Sequence, residues 1–313
     1  MIKTHHAFSL LVLAIICCSV GRAQGGDSFK QSDDASRTKV LLEHVGKRVE
    51  QYHAEISNIA FSEAIRQQEL RSDATAKGKP KEFVYETIVI SQGPRPTSQP
   101  APVMTRTLTV IDGKPVKTQA LPRRSSCYDT NPQPVYQDHL NMLLPGNQTR
   151  FLFAYEGEEN LLGHKAAIIA FSQPPAAEPA QLIKKGGCFF LSRALLQKGR
   201  VWVDLATYDV LQIQWQLAEP FHGKLGAGVR RVGVFAVFQP SREISHEKSE
   251  TLVRFSRVAF QDPKQELLLP VASESTWLWR GGSVAGMKTT TEYSRYRRFR
   301  TSVEIKDPIE NER

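Results

Sequence analysis

The side chains most able to do chemistry are scattered along the chain and match no motif for catalysis or metal binding. Glu156, Glu158 and Glu159 lie close together, but the spacing of an EF-hand calcium loop is missing. His164 follows a glycine and is interpreted as a turn or strand histidine. The sequence contains neither a Gly-x-Ser-x-Gly elbow nor a His-Glu-x-x-His pair. We therefore expect a protein that is not an enzyme and needs no cofactor or metal. The alternative is a hydrolase whose Ser, His and Asp residues meet only in space.

A basic and aromatic segment near the C-terminus is the second group of candidates. Its arginines alternate with aromatic rings, at Arg295, Arg297, Arg298 and Arg300 and at Tyr293, Tyr296 and Phe299. Stacking rings with phosphate-binding cations suit single-stranded nucleic acid, but an export signal argues against that partner. One interpretation is contact with anionic head groups or lipopolysaccharide phosphate. The other is an arginine-faced edge strand, whose charges discourage aggregation.

The N-terminus has the composition of an export signal. One lysine precedes an apolar run of 13 residues from Phe8 to Val20, and Gly21-Arg-Ala23 supplies small residues for cleavage. Because this run is too short to span a bilayer, we predict a signal peptide at residues 1–23 and a periplasmic or extracellular protein. Lipidation of Cys18 is the alternative, although Cys17 is not the small residue that usually precedes a lipidated cysteine.

Cleavage after Ala23 would leave a moderately basic chain with two cysteines. It removes Lys3 and Arg22 and lowers the formal charge from +9 to +7. A charge of this size suits weak peripheral contact with anionic membranes and does not by itself indicate nucleic acid. In an oxidising compartment, Cys127 and Cys188 are predicted to form one disulfide, the alternative being two separate buried thiols.

The first element that must position these residues is an amphipathic helix. Apolar residues recur at spacings of three and four, at Leu41, Val45, Val49, Tyr52 and Ile56. This pattern predicts one apolar face on a helix of about five turns. Residues 24–37, rich in Gly, Ser, Asp and Gln, are predicted to be a disordered leader. Residues 61–70 fit either a continued helix or a first strand.

The clearest strand pattern is a hairpin over residues 199–219. Val201 and Val203 alternate with more polar residues, and after a short turn three glutamines at 212, 214 and 216 share one face. This alternation predicts antiparallel strands with one face buried and the other solvated. Further strand patterns lie at 83–90, 103–111, 150–155, 165–171, 232–238, 251–260, 267–279 and 288–305, with residues 156–160 as a connection. We count about ten or eleven strands and expect one domain.

The order of one helix before a long antiparallel meander resembles the LolA/LolB-like periplasmic proteins, which include lipoprotein carriers and RseB-type sensors. The residues that carry the resemblance are Gly199-Arg-Val-Trp-Val-Asp204, Leu267-Leu-Leu-Pro270 and Tyr293-Ser-Arg-Tyr-Arg-Arg-Phe299. An uncharacterised bacterial branch of this group is the most similar. The resemblance spans about Leu41 to Lys306 and favours a strand at 61–70. Tyr208 departs from it, since such proteins usually carry glycine there, and the carriers' lipoprotein-gripping arginine has no assignable position.

The resemblance implies a mainly β (α+β) fold, in which a single antiparallel sheet or half-open β-barrel wraps around the N-terminal helix. This domain is expected at 38–308, with a tail at 309–313. Its inner face would hold acyl chains or the lipid part of a lipoprotein. The candidate lining residues are Phe151, Phe153, Val201, Val203, Ile213, Trp215, Phe255, Trp277 and Trp279. Alternatively, these residues fill an ordinary core or anchor the surface.

Two functions are therefore expected. The first is an exported carrier-like protein that binds acyl chains or lipoprotein. The second is an RseB-like sensor or interaction module that recognises a protein partner in the envelope and has no carrier activity.

Overall fold

The fold is described from a computed structural model of the chain. The described residues are 25–56, 58–90, 103–116, 140–185, 188–192, 194–225, 228–232, 235–239, 241–261, 264–281 and 285–299, with backbone alone at 25–33, 103, 184–185, 188–190, 225, 228–232 and 235–239. The predicted signal peptide, the proline-rich segment 93–102, Cys127, Arg300 and the C-terminal tail lie outside these ranges. The predicted disulfide therefore stays a prediction.

The described chain consists mostly of strands, with few helices. The helices are α1 (Gly25–Glu55) and the short α2 (Pro145–Gln148), preceded by a 3-10 turn at Asn141–Leu143. The strands are β1 (Ile59–Leu70), β2 (Lys81–Ile90), β3 (Val103–Ile111), β4 (Lys114–Pro115), β5 (Leu152–Leu161), β6 (His164–Ser172), β7 (Leu182–Lys185), β8 (Cys188–Leu191), β9 (Gln197–Asp204), β10 (Val210–Leu217), β11 (Phe221–Leu225), β12 (Gly228–Val232), β13 (Phe235–Gln239), β14 (Arg242–Gln261), β15 (Lys264–Arg280) and β16 (Gly286–Arg298).

Twelve of these strands form one antiparallel sheet that does not close. Its order is β4-β3-β2-β1-β16-β15-β14-β10-β9-β6-β5, and β11 pairs with the remaining length of β14. Strands β14 and β15, of 20 and 17 residues, form its longest pair. The predicted open antiparallel sheet is confirmed. The expected ten or eleven strands were too few, because the segments around residues 182–191 and 221–239 also pair into short strands.

Helix α1 packs its apolar stripe against one face of the sheet, which we call the inner face. The five predicted stripe residues are at most 5% exposed, and Val45 is fully buried. They share one core cluster with residues from strands as far apart as Val89 on β2 and Phe171 on β6. The cluster therefore extends across eight neighbouring strands of the sheet, from β2 to β6. Each buried Val, Leu or Ile side chain contributes about 1.5–3 kcal/mol to such packing.

The helix begins earlier than the sequence pattern indicated. Its first residue is Gly25, so residues 25–37 of the predicted leader belong to α1 and that expectation is corrected. Residues 27–40 contain neither glycine nor proline, and nothing in the segment stops a helix from extending out of its packed part.

The N-terminal half of α1 covers the β5 edge of the sheet. The Tyr155 amide of β5 donates a hydrogen bond of 3.0 Å to Thr38 Oγ1, which in turn donates to the Asp34 carbonyl. Arg37 forms an ion pair with Glu158 and lies over the Tyr155 ring. Because an uncovered strand edge invites pairing with other chains, these contacts protect one end of the open sheet.

The turn between β9 and β10 is tied to the helix by one buried carboxylate. Asp209 is 2% exposed. It accepts a hydrogen bond of 2.6 Å from Arg48 Nε on α1 and one of 2.8 Å from Arg257 Nε on β14. In the same turn Tyr208 has a φ of 59°, a left-handed conformation that glycine adopts at lower cost. Its ring stacks on His44 of α1 at 4.4 Å.

Several local predictions are confirmed and others are corrected. Residues 61–70 lie in β1, and the 199–219 hairpin forms as β9 and β10. The connection expected at residues 156–160 is instead part of β5, and the turn to β6 lies at Leu162-Gly163, both with positive φ. Pro145 is the first residue of α2, since proline is tolerated in the first helical turn. Among the described residues, no helix combines the length and apolarity needed to cross a bilayer.

We predict that Asp209→Asn lowers the free energy of unfolding by about 2–4 kcal/mol, because it leaves Arg48 and Arg257 facing a partner without charge. Guanidinium unfolding followed by tryptophan fluorescence measures this change. Glu43→Gln, which removes an exposed ion pair with Lys47 on the same helix, is the matched control and should leave the midpoint unchanged. Equal effects of the two substitutions would contradict the role given to Asp209.

Candidate functional site

The inner face is divided into a part packed against α1 and a part beyond it. Four of the candidate lining residues, Val201, Val203, Ile213 and Phe255, are at most 4% exposed and belong to the core cluster that contains the helix. Their side chains are already in contact with protein. The part of the inner face under α1 is therefore filled.

Aromatic rings mark the border of the helix-packed core. Phe151 and Phe153 are partly buried against the core, and Trp215 is 9% exposed within it. Phe171 lies across Gly199, where an added Cβ would come within 2.6 Å of the Phe171 Cζ atom. Glycine at this position therefore allows the ring to lie flat over β9.

The remaining candidates, Trp277 and Trp279, lie beyond this border. In the β15–β16 register Trp277 pairs with Met287, four residues along each strand from the buried pair Ser273 and Thr291. Because side chains alternate along a strand, Trp277 shares the inner face with Ser273. Both tryptophans are half-buried, and neither belongs to the core cluster. The structure thus separates two of the nine candidates from the other seven.

Trp279 contacts one ring on β14 and one ring on β11, and we call these three rings the aromatic ladder. Its ring stacks on His246 at 4.2 Å and meets Phe221 edge-on at 6.3 Å. Both ring nitrogens of His246 are buried, and neither has a side-chain hydrogen-bond partner among the described residues. Burial lowers the pKa of His246 from 6.5 to about 4, so the ring is neutral at physiological pH. This ladder extends the aromatic surface of Trp277 toward β11.

A buried ion pair on the inner face was not predicted from the sequence. Glu63 on β1 is 1% exposed and accepts hydrogen bonds from Arg106 of β3, at 3.0 Å from Nε and 2.6 Å from Nη2. Thr87 also donates to Glu63, and the Arg106 guanidinium lies 4.1 Å from the centre of the Tyr85 ring. A charge at an inward position of β1, between Phe61 and Ile65, was the available signal.

The arginines of the C-terminal segment do not form one cluster. Arg298 reaches the end of α1, where it donates to the Glu55 carbonyl at 3.4 Å and to Gln265, and so complements the helix dipole. Arg295 has a φ of 53° at a bulge, and Arg297 pairs with Glu86 at 3.1 Å. An open pocket of about 580 Å³ is lined by Glu86, Arg295, Tyr296 and Arg297. Arg300 lies outside the described residues.

Strand β16 lies inside the sheet, with β1 on one side and, from Gly286 to Glu292, β15 on the other. At Arg297 and Arg298 it pairs with β1 alone, so the edge-strand explanation for these arginines stays a prediction. The β-bulge at Arg295 turns the side chains of Arg295 and Arg297 to the surface, and it places Tyr296 against Phe61 in the core.

The polar residues considered for catalysis have structural partners. His164 Nδ1 lies 2.6 Å from Asp204, whose other oxygen accepts the amides of Ala206 and Thr207 in the β9–β10 turn. Burial raises the pKa of Asp204, and these hydrogen bonds outweigh that effect and lower it overall. Glu159 accepts from the Trp202 indole, and Glu156 pairs with Arg200. In the described part of the chain, no group of His, Cys, Asp and Glu has the arrangement of a metal site.

Comparison with known proteins returned likenesses among solved structures only. No family model matches the chain, and no curated protein matches it. An outer membrane lipoprotein-sorting protein domain from Vibrio parahaemolyticus is 11% identical, with 87% of this chain and 96% of that chain covered and a TM-score of 0.38. A DUF1329 family protein from Desulfovibrio piger is 11% identical over 83% and 92%, with a TM-score of 0.34. A LolA superfamily protein from Nitrosomonas europaea is 9% identical over 85% and 94%, with a TM-score of 0.30.

These structures include the group that the sequence resembles. Identities of 9–11% and TM-scores below 0.5 support no conclusion about ligand or activity. The function proposed below therefore rests on the residues of this chain.

We predict that His246 makes the protein less stable as the pH falls from about 6.5 to about 4. The unfolded chain binds a proton at His246 in this range and the folded chain does not, so protonation favours unfolding. In His246→Phe, which keeps a ring against Trp279, the loss of unfolding free energy between pH 7.5 and pH 5 should be smaller. His222→Phe on the exposed side of β11 is the control. An unchanged pH dependence in His246→Phe would show that His246 does not contribute.

Proposed function

We propose that the mature chain is an exported binding protein that holds an acyl chain, from a lipid or a lipoprotein, on the part of the inner face that α1 leaves uncovered. One observation carries the proposal. Trp277 and Trp279 are half-buried on the same face whose other half is packed to between 0 and 9% exposure.

The physical reason is the amount of apolar surface that these rings leave in contact with water. A tryptophan side chain buries up to about 250 Å² when it is fully packed. Adjoining aromatic surface on an inward-facing wall, next to a well-packed core, is typical of a ligand site. Met287 beside Trp277 adds a flexible side chain that adapts to ligands of different shape.

The contacts of α1 support a site beside the helix rather than beneath it. A ligand beneath α1 would have to displace Val45 and Val49 from the core and separate Arg48 from Asp209. A ligand beside it meets Trp215, Trp277 and Trp279 without breaking these contacts. In this proposal Val201, Val203, Ile213 and Phe255 support the wall from within the core, and Phe151 and Phe153 flank it.

We expect protein purified without detergent to retain lipid in native mass spectrometry and to bind a fluorescent fatty acid. Trp277→Ala should weaken fatty-acid binding by about tenfold or more, because it removes the largest apolar contact on the wall. Leu278→Ala, on the opposite face of the same strand, is the matched control and should bind as the wild type does. The absence of both retained lipid and fatty-acid uptake in the wild type would contradict the proposal.

A second candidate function is recognition of an envelope protein through the surface beside Arg295. The observation in its favour is the exposed Arg295, which lines a pocket beside the Glu86–Arg297 ion pair and suits an acidic segment of a partner or an anionic head group. Loss of one captured membrane protein on Arg295→Gln/Arg297→Gln, with fatty-acid binding unchanged, would favour this function. If the wild type and the double variant capture the same membrane protein equally well, that result would argue against recognition through this surface.

A further inference from the structure

A row of uncharged polar side chains crosses the inner face beside the tryptophans. Thr251 on β14, Ser275 on β15, Thr289 on β16 and Gln67 on β1 pair in register from strand to strand. Trp215 on β10 pairs with Thr251 at one end of this row. On the next row away from α1, Ser249 pairs with Trp277. We call Thr251, Ser275, Thr289 and Gln67 the hydroxyl–amide row.

The side chains of this row are accessible and have no partner within the described part of the chain. All four are half-buried. None of the four makes a side-chain hydrogen bond to another described residue, whereas Ser273, on the adjacent row under the core, lies 3.4 Å from the Tyr293 hydroxyl. Because these side chains are partly exposed, water pairs with them in the free protein, and a ligand that displaces this water must supply equivalent hydrogen bonds. The row therefore has hydrogen-bonding capacity that a ligand can use.

The chemistry of the row selects the kind of ligand. A hydroxyl group both donates and accepts, and an amide does the same through separate atoms, so the row matches groups that also do both. Next to the row on β14, β15 and β16, charged side chains lie on the opposite face, where Glu274 pairs with Arg254 and Lys288. A purely apolar chain lying on the row would leave its hydroxyls desolvated and unpaired, which is unfavourable. A phosphate or carboxylate would find no cation among these four residues, and the nearest cation in register is the exposed Lys81 of β2, which pairs with Gln67 at the end of the row.

We propose that the hydroxyl–amide row binds a neutral, hydroxyl-rich group, such as a sugar, while the neighbouring tryptophans contact the apolar part of the same ligand. This inference deepens the proposed function and rests on it for the position of the ligand on the inner face. It adds that the ligand is amphiphilic and that its polar part is uncharged. The hydroxyl-rich group is either the head of a glycolipid or a free glycan.

Binding measurements with three probes distinguish a glycolipid from a free glycan. They also distinguish acyl-chain binding from hydroxyl binding by the row. Dodecyl maltoside below its micellar concentration carries a neutral sugar head and an alkyl chain. Dodecanoate carries a chain of the same length with a charged head, and maltotriose carries sugar without a chain. Calorimetry or intrinsic tryptophan fluorescence gives the dissociation constant of each probe for the full mature protein.

The test variant is Ser275→Ala/Thr289→Val, which removes two hydroxyls and retains nearly the same shape. Thr276→Val/Thr290→Val, on the outer face of the same strands, is the matched control, and thermal unfolding checks that both variants fold. We expect the wild type to bind dodecyl maltoside about tenfold more tightly than dodecanoate. The test variant should lose that preference by binding the maltoside more weakly, because two hydrogen bonds correspond to about tenfold. The control should keep it.

Each outcome decides between the two proposals. Equal binding of dodecyl maltoside and dodecanoate by the wild type, or an unchanged preference in the test variant, overturns the role of the row and leaves acyl-chain binding intact. Binding of maltotriose without dodecanoate, lost in the test variant, supports the row with a free glycan and overturns acyl-chain binding. Binding of none of the three probes overturns both.

Discussion

The structure depends on the packing of one helix across the inner face of an open sheet. The apolar stripe of α1 buries residues from strands between β2 and β6 in a single core. Polar contacts hold the helix along its length. Arg37 and Thr38 in its first half contact the β5 edge, and Arg48 in its second half pairs with Asp209. At its end, Arg298 donates to the Glu55 carbonyl. A sheet that does not close cannot bury its inner face by itself, so the helix provides the second layer that a stable core requires.

This packing also determines where a ligand can bind. The helix fills one half of the inner face and leaves the other half with tryptophans, a methionine and uncharged polar side chains. The buried Glu63–Arg106 pair lies on the same face and satisfies its own charges, so it offers no free cation to a ligand. In our proposal, the exposed wall therefore binds an amphiphile with an apolar chain and a neutral polar group in preference to an anionic lipid. The exposed arginines Arg295 and Arg297 belong to a separate surface of β16.

Local patterns predicted the elements better than they predicted the site. The three- and four-residue spacing from Leu41 to Ile56 identified the buried stripe of α1, and strict alternation identified β9 and β10. Alternation could not locate the turn after β5, because the bulge at Gly157 and the positive φ of Leu162 depend on cross-strand pairing. Nor could it tell which candidates lie under the helix, since Val203 and Trp277 have similar patterns and only the position of α1 separates them. The Glu63–Arg106 pair and the hydroxyl–amide row join distant segments through strand register, which one sequence does not reveal.

The most direct measurement of the central claim is photo-crosslinking of the protein with a fatty acid that carries a diazirine near the end of its chain, followed by peptide mass spectrometry. The account predicts crosslinks on β10, β15 and β16, at or beside Trp215, Trp277 and Met287, with α1 still protected from hydrogen exchange. Crosslinks to Val45, Val49 or Ile213, with loss of protection in α1, would contradict it, because the ligand would then replace the helix instead of lying beside it.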